Sequence, residues 1–365
     1  MRILLAGGGT AGHINPAVAI ADYACKKDNN TEILFIGTEK GMESTLVPES
    51  GYDIKFVKVQ GLSKKLTVEN MKSLWYMITA KKRCKKIIRE FKPDIVIGTG
   101  GYVCAPAVMA ANSLGIPTLI HEQNVFPGSA VKLLSKKSSV TAISFEDSRK
   151  HLDEAKEIIF SGNPIRPEML SCDRKKAREG FGLIDEKLIM IFGGSLGANA
   201  INSVALDYVQ GIDDKNIKVL FGTGNRNYEE IITSEAGKRA LKNKNVSIVA
   251  YIHNMNEAMN AADVVVCRSG AITVSELCAL GKPSILIPSP NVTNNHQEYN
   301  ARALSDKGAA ITILEKDFSA ESLREALDSL LNNSDAIENM SKKAIELSSV
   351  NALDIIYKKI TELVM

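Results

Sequence analysis

The sequence predicts an α/β protein made of two Rossmann-like parallel-sheet domains. Short Ile, Val and Leu runs alternate with helical patterns, as they do where parallel strands are buried on both faces. Two Gly-rich strand-to-helix turns, "LLAGGGTAG" at 4 and "MIFGGSLGA" at 190, echo each other. At 365 residues the chain exceeds one ordinary core and suits two domains of roughly 150 to 200 residues each.

In the first series, strands are expected at "RILLA" (2), "EILFIG" (32), "IKFVKV" (54), "DIVIGTGG" (94), "TLIHE" (118), "VTAIS" (140) and "EIIFSG" (157). The second runs through "LIMIFGGS" (188), "KVLFGTG" (218), "VSIVAYI" (246), "DVVVCRSG" (263), "SILIP" (284) and "AAITIL" (309). Between them "GNPIRP", with two prolines in four residues, breaks regular structure and reads as a linker. The expected division is a domain over 1–161, a linker over 162–167, a domain over 168–348 and a C-terminal segment over 349–365. The amphipathic helix in that last segment, "ALDIIYKKITELV" from 352, is expected to pack back on the first domain.

Composition excludes several classes. With 45 Lys and Arg against 42 Asp and Glu the net charge is only +3, so no global field draws the chain to nucleic acid. Six cysteines without a C-x-x-C pair read as reduced thiols, neither a disulfide framework nor a zinc site. The N-terminal apolar run breaks at Gly7, too short for a secretory signal. The most apolar stretch, 102–117, is short and interrupted by Pro106 and Asn112, so no membrane span is expected.

Gly7, Gly9 and Gly12 form a literal G-x-G-x-x-G, so backbone N–H groups and a helix dipole can meet a phosphate or sugar oxygen. A nicotinamide enzyme would add an acid after the second strand, and Glu39 is the candidate. Two such turns and His13, directly behind the third glycine, favour another reading. An imidazole there is a candidate general base for a hydroxyl nucleophile, against the plainer role of a structural hydrogen-bonding histidine. In the second domain a helix is expected to begin near Thr273, its N-terminus suited to a diphosphate. Glu276 is either a ribose ligand or an acid favoured by a helix's first turn. Gln297 and Asn300 offer amides to sugar hydroxyls or serve as caps.

Together "GGGTAGHINPA", "GTGGYVCAPAVMAA" (98), "HEQNVFPG" (121), "GNPIRP" (162), "GGSLGA" (193) and "CRSGAITVSELCALGKPSILIP" (267) resemble the MurG family, the bacterial N-acetylglucosaminyltransferases that form lipid II. The resemblance implies a GT-B fold with the two domains facing a cleft. It further implies inverting transfer of N-acetylglucosamine from UDP-N-acetylglucosamine to the 4-hydroxyl of MurNAc in undecaprenyl-pyrophosphoryl-MurNAc-pentapeptide (lipid I), giving a β-1,4 link and UDP. By the same resemblance the donor-binding residues are Thr10, Ala11, Gly12, Asn124, Arg166, Ser195, Ile252, Ala271, Ile272, Thr273, Val274, Ser275, Glu276 and Gln297. His13 matches the family's catalytic candidate, with Glu122 as a second candidate base. Ala11 stands where many members have glycine, which is tolerable if its φ is not positive. No D-x-D occurs in the chain, so a diphosphate held by a carboxylate-bound divalent metal is not expected, and the resemblance implies no cofactor.

A lipid-linked acceptor implies work at the cytoplasmic face of the cell membrane, beside other cell-wall synthesis proteins. Over 58–92 the chain carries eleven Lys or Arg against Glu69 and Glu90, interleaved with Leu66, Met71, Leu74, Trp75 and Ile78. With Lys81, Lys82 and Arg83 these are the candidates for docking on anionic lipid. The stripe 71, 74, 75, 78 equally fits a core-facing helix. Other readings remain: a UDP-N-acetylglucosamine 2-epimerase, a nicotinamide-dependent oxidoreductase, and a non-catalytic lipid-docking scaffold.

Overall fold

Seven parallel strands form the first sheet: β1 (Arg2–Gly7), β2 (Glu32–Gly37), β3 (Ile54–Phe56), β4 (Ile95–Gly100), β5 (Thr118–Glu122), β6 (Val140–Ile143) and β7 (Ile158–Phe160). They lie in the order β3-β2-β1-β4-β5-β6-β7. The second sheet holds β8 (Lys187–Phe192), β9 (Ile217–Gly222), β10 (Val246–Val249), β11 (Val264–Cys267), β12 (Ser284–Leu286) and β13 (Ile311–Thr312), ordered β10-β9-β8-β11-β12-β13. The computed structural model describes residues 1–60, 68–194 and 197–365, the side chains of 68–74 excepted.

The strands are where the apolar runs are, because β1, β4 and β5 are buried along almost their whole length and admit little polar alternation. Both sheets reverse strand order beside their first strand, between β1 and β4 and between β8 and β11. At such a switch point the following loops leave in opposite directions and open a crevice at the carboxyl ends of the strands.

The chain divides into one compact unit of Met1–Pro164 with Ser349–Met365 and a second of Ile165–Ser348. The division falls inside "GNPIRP". In the first unit Ile356 and Ile360 of the C-terminal helix Ala352–Val364 are fully buried in one apolar cluster with Ile3, Leu5, Ile20 and Ile97. All six cysteines are free thiols. Among the described residues no helix is long and apolar enough to cross a membrane.

Candidate functional site

The fingerprint turn follows β1 and opens the helix Ala11–Lys27. Its glycines are required for different reasons. Gly9 has φ +84°, and a Cβ on Gly8 would run into the carboxylate of Glu43. That carboxylate is buried and accepts hydrogen bonds from Gly9 N (2.9 Å), Thr38 N (2.9 Å) and Thr38 Oγ1 (2.7 Å). Burial works to raise its pKa, but these donors outweigh burial and hold it below the ordinary glutamate value. The turn's inner N–H is thus already met by an anion of the chain itself. Glu39, the acid that a nicotinamide reading needs, is exposed on the loop after β2. Thr10 and Gly12 are exposed, and Ala11 is the first helical residue without positive φ, so alanine is tolerated there.

His13 sits in the first turn of that helix, partly buried and held on several sides. Its carbonyl accepts from Thr99 Oγ1 at 2.7 Å, and its Nδ1 meets Gln123 Oε1 at 3.0 Å. Gly100, with φ +112°, lies against the ring, where a Cβ would come within 2.6 Å of Nδ1. Alternation along β5 and just beyond it sends His121 and Gln123 to one side and Glu122 to the other. His121 is fully buried, and burial pushes its pKa down to about 4.

Glu122 is also buried, with one oxygen accepting from Asn124 N (2.9 Å) and Asn124 Nδ2 (3.2 Å) and the other from Gly128 N (2.9 Å). Its oxygens are committed to closing the loop 122–128. Glu122, the second candidate base, is thus buried and held by donors of its own loop. Asn124 is thereby oriented by Glu122, half-buried at the loop's start.

In the second unit the helix after β11 is Ala271–Ala279, beginning two residues before the expected Thr273 because Gly270 is its extended N-cap. No acid lies in its first turn, and Glu276 stands in the second, so a first-turn charge preference does not account for it. Glu276 is buried, and its Oε1 accepts from Arg166 Nε (3.0 Å) and Nη2 (2.9 Å). Burial raises its pKa, and the guanidinium only partly offsets that. Ala271 and Val274 are buried, while Ile272, Thr273 and Ser275 are partly exposed. Gln297 opens the helix His296–Ser305 as its second residue. Its Oε1 accepts from Ser289 N at 2.9 Å, which turns Nε2 away from that backbone. Asn300 is fully buried and donates to Ser269 O at 3.1 Å, so it supports the β11 loop rather than facing a sugar.

Ile252 lies beyond β10 with its side chain buried against Gly222, beside a cavity lined by Asn225, Tyr228, Val249, Ala250, Tyr251 and His253. Ser195 falls outside the described residues, as does Leu66. The side chains of Met71 and Leu74 are likewise outside the description. In the helix Val68–Phe91, Ala80, Cys84, Ile87 and Ile88 face the core, whereas Trp75 is 61% and Ile78 51% exposed. Lys82 and Arg83 are exposed and Lys81 is half-buried. Among the described residues no three His, Cys, Asp or Glu side chains cluster as metal ligands would.

Sequence reading missed Glu43 and passed over Thr99, His121 and Gln123 as parts of motifs. The alternation in "HEQ" after a buried strand was the available signal for the last two.

The profile of the glycosyltransferase family 28 N-terminal domain matches residues 3–143, and that of the family's C-terminal domain matches 188–356. A curated relative from Acetivibrio thermocellus is 46% identical over 365 residues, covering 100% of this chain and 98% of the relative. It is named UDP-N-acetylglucosamine–N-acetylmuramyl-(pentapeptide) pyrophosphoryl-undecaprenol N-acetylglucosamine transferase. The crystal structure of Acinetobacter baumannii MurG superimposes with a TM-score of 0.81 at 26% identity, covering 99% of each chain. A UDP-GlcNAc 2-epimerase from Neisseria meningitidis shares the fold, with a TM-score of 0.69 at 16% identity over 99% of this chain and 100% of the other.

Proposed function

The chain belongs to glycosyltransferase family 28, and from that premise we propose that it transfers N-acetylglucosamine from UDP-N-acetylglucosamine to the 4-hydroxyl of MurNAc in lipid I. The products are lipid II, with a β-1,4 link, and UDP. The observation that carries this reading is the full-length likeness to a relative of that name.

In this reading the first unit brings the base and the acceptor side, and the second binds the donor. The acceptor oxygen attacks the anomeric carbon of N-acetylglucosamine from the face opposite UDP, so configuration inverts. The new C–O bond forms as the bond to the β-phosphate oxygen breaks with its electron pair. His13 takes the hydroxyl proton, a contribution typically worth about 10² to 10⁴ in rate. Charge growing on the diphosphate is met by the N-terminus of the helix Ala271–Ala279 and by Arg166. Glu276 and Gln297 take the hydroxyls of the donor, Ile252 presents backbone to the uracil, and Thr10, Gly12 and Asn124 meet the sugar. In this reading the helix carrying Trp75 and Ile78 rests on an anionic membrane surface, and the reaction takes place at the cytoplasmic face of the membrane.

The test mixes the purified chain with radiolabelled UDP-N-acetylglucosamine and a short-chain lipid I analogue in EDTA. Label is expected in the lipid product. Failure of transfer both in EDTA and in magnesium, with sound substrates, overturns the reading; conversion of the donor to its 2-epimer would replace it with the epimerase.

A further inference from the structure

The residues behind His13 form a chain of hydrogen bonds whose direction is dictated by backbone groups. Gln123, which is 2% exposed, places one end of its amide 2.9 Å from Thr99 O and 3.0 Å from His121 O. Carbonyl oxygens have no proton to give, so that end is the NH2 and the other is the carbonyl Oε1. The same NH2, its two protons shared among three acceptors, meets His121 Nδ1 at 3.0 Å, and since an amide NH2 cannot accept, that nitrogen carries no proton toward it. The proton of neutral His121 is then on Nε2, where it is given to Gly162 O at 3.0 Å. At the outer end Gln123 Oε1 faces His13 Nδ1 at 3.0 Å, and an amide oxygen there can only accept. Three side chains therefore point their protons the same way, from His13 inward to Gly162.

We propose that Gln123 is a positioning residue that holds neutral His13 in the tautomer protonated on Nδ1, leaving the Nε2 lone pair to receive the acceptor's proton. This is the minor tautomer of a free histidine side chain, so the network inverts the ordinary preference. The inference rests on the reading of His13 as the base. It balances with the transfer step: the hydroxyl proton passes to Nε2 as the sugar bond forms, UDP leaves with the electron pair, and Nδ1–H stays on Gln123 throughout. Complete burial keeps His121 neutral at working pH. A protonated His121 would turn Nδ1 into a donor, oppose the Gln123 NH2 and undo the direction of the chain. Asn163 Nδ2, donating to Gln123 O at 3.0 Å, and Gly100, flat against the His13 ring, hold the ends in register.

Two-bond 1H–15N correlation on the full chain labelled with 15N-histidine tests this directly. The His13 signal, among five histidines, is identified by its loss in His13→Ala. The neutral wild-type ring is expected to show the Nδ1–H tautomer, and a neutral wild-type ring protonated on Nε2 overturns the proposal without any variant. Gln123→Met, which keeps length and removes both polar ends, is expected to return His13 to the ordinary tautomer mixture. It should lower kcat about ten- to a hundredfold, with KM for UDP-N-acetylglucosamine within about twofold. A Gln123→Met chain that changes tautomer and keeps wild-type kcat also overturns the role. That result would locate the failure in the reading of His13 as base, since the tautomer would have been read independently of activity.

Discussion

His13 and Glu43 share one glycine turn and do opposite work in it. Glu43 supplies the inner anion of the turn; His13 stands on the outer side with its ring held by Gln123 and Gly100. Replacing His13 with Ala is expected to lower kcat by about 10² to 10⁴ while leaving KM for the donor nearly unchanged, because a base acts on the transition state and not on donor binding. Steady-state kinetics on the short-chain acceptor read both; a loss confined to KM would contradict the assignment. Glu43→Gln puts an NH2 against backbone donors and is expected to cost about 1 to 3 kcal/mol of stability at pH 7. The folded carboxylate has a lowered pKa, so its contribution is present above the unfolded value and is lost as pH falls through the folded one. The gap between variant and wild type in urea melts should therefore shrink from pH 7 toward pH 3, and a gap that stays constant would show that charge is not the cause.

At the scale of elements, the helix Ala271–Ala279 carries an ion pair between its buried Glu276 and the half-exposed Arg166. Burial raises the Glu276 pKa and Arg166 opposes the rise, so Arg166→Met should push it higher still. For an acid whose folded pKa lies above the unfolded one, the folded chain binds the extra proton, and stability falls as pH rises from the unfolded value through the folded one. The variant should therefore lose more stability at pH 7 than at pH 5. The loss at pH 7 is expected to be about 1 to 2 kcal/mol, small for a buried carboxylate because the arginine side chain is half-exposed. Equal losses at the two pH values would contradict it. Strands were legible in the sequence because apolar runs mark them: all thirteen described strands lie on such runs, though β3, β7 and β13 are only partly buried. The helix start at Ala271 was displaced because an extended Gly270 cap carries no side-chain signal. Glu43 could not be read, since the fingerprint rule looks for an acid that binds a ligand and this one binds the turn. Gln123 could not be tied to His13 because 110 residues separate them and only the adjacency of β1 with β4 and of β4 with β5 brings them together.

For the whole molecule the open quantity is how a chain without a membrane-spanning helix among its described residues reaches a lipid-linked acceptor. Trp75, Ile78 and Lys82 fall at i, i+3 and i+7, one face of the helix Val68–Phe91, and all three are exposed while the opposite face is core. That separation argues against the core-stripe reading for these two apolar side chains. An exposed Trp and Ile beside Lys82 and Arg83 match an interfacial surface, with each basic residue near an anionic leaflet contributing about 1 kcal/mol, roughly a factor of five in partitioning. Flotation with vesicles containing phosphatidylglycerol should therefore recover the wild-type chain at low salt and progressively less as salt screens the charges. Trp75→Glu with Ile78→Glu should abolish recovery, and Lys82→Glu with Arg83→Glu should lower it at least tenfold while steepening no salt dependence. Since these residues lie on the solvent-facing side of their helix, away from its core face, all these variants should keep wild-type kcat on a water-soluble short-chain acceptor and lose turnover only on acceptor embedded in vesicles. Unchanged flotation in the Trp75, Ile78 pair would remove this helix as the docking element, and parallel losses on both acceptors would show damage to the fold instead.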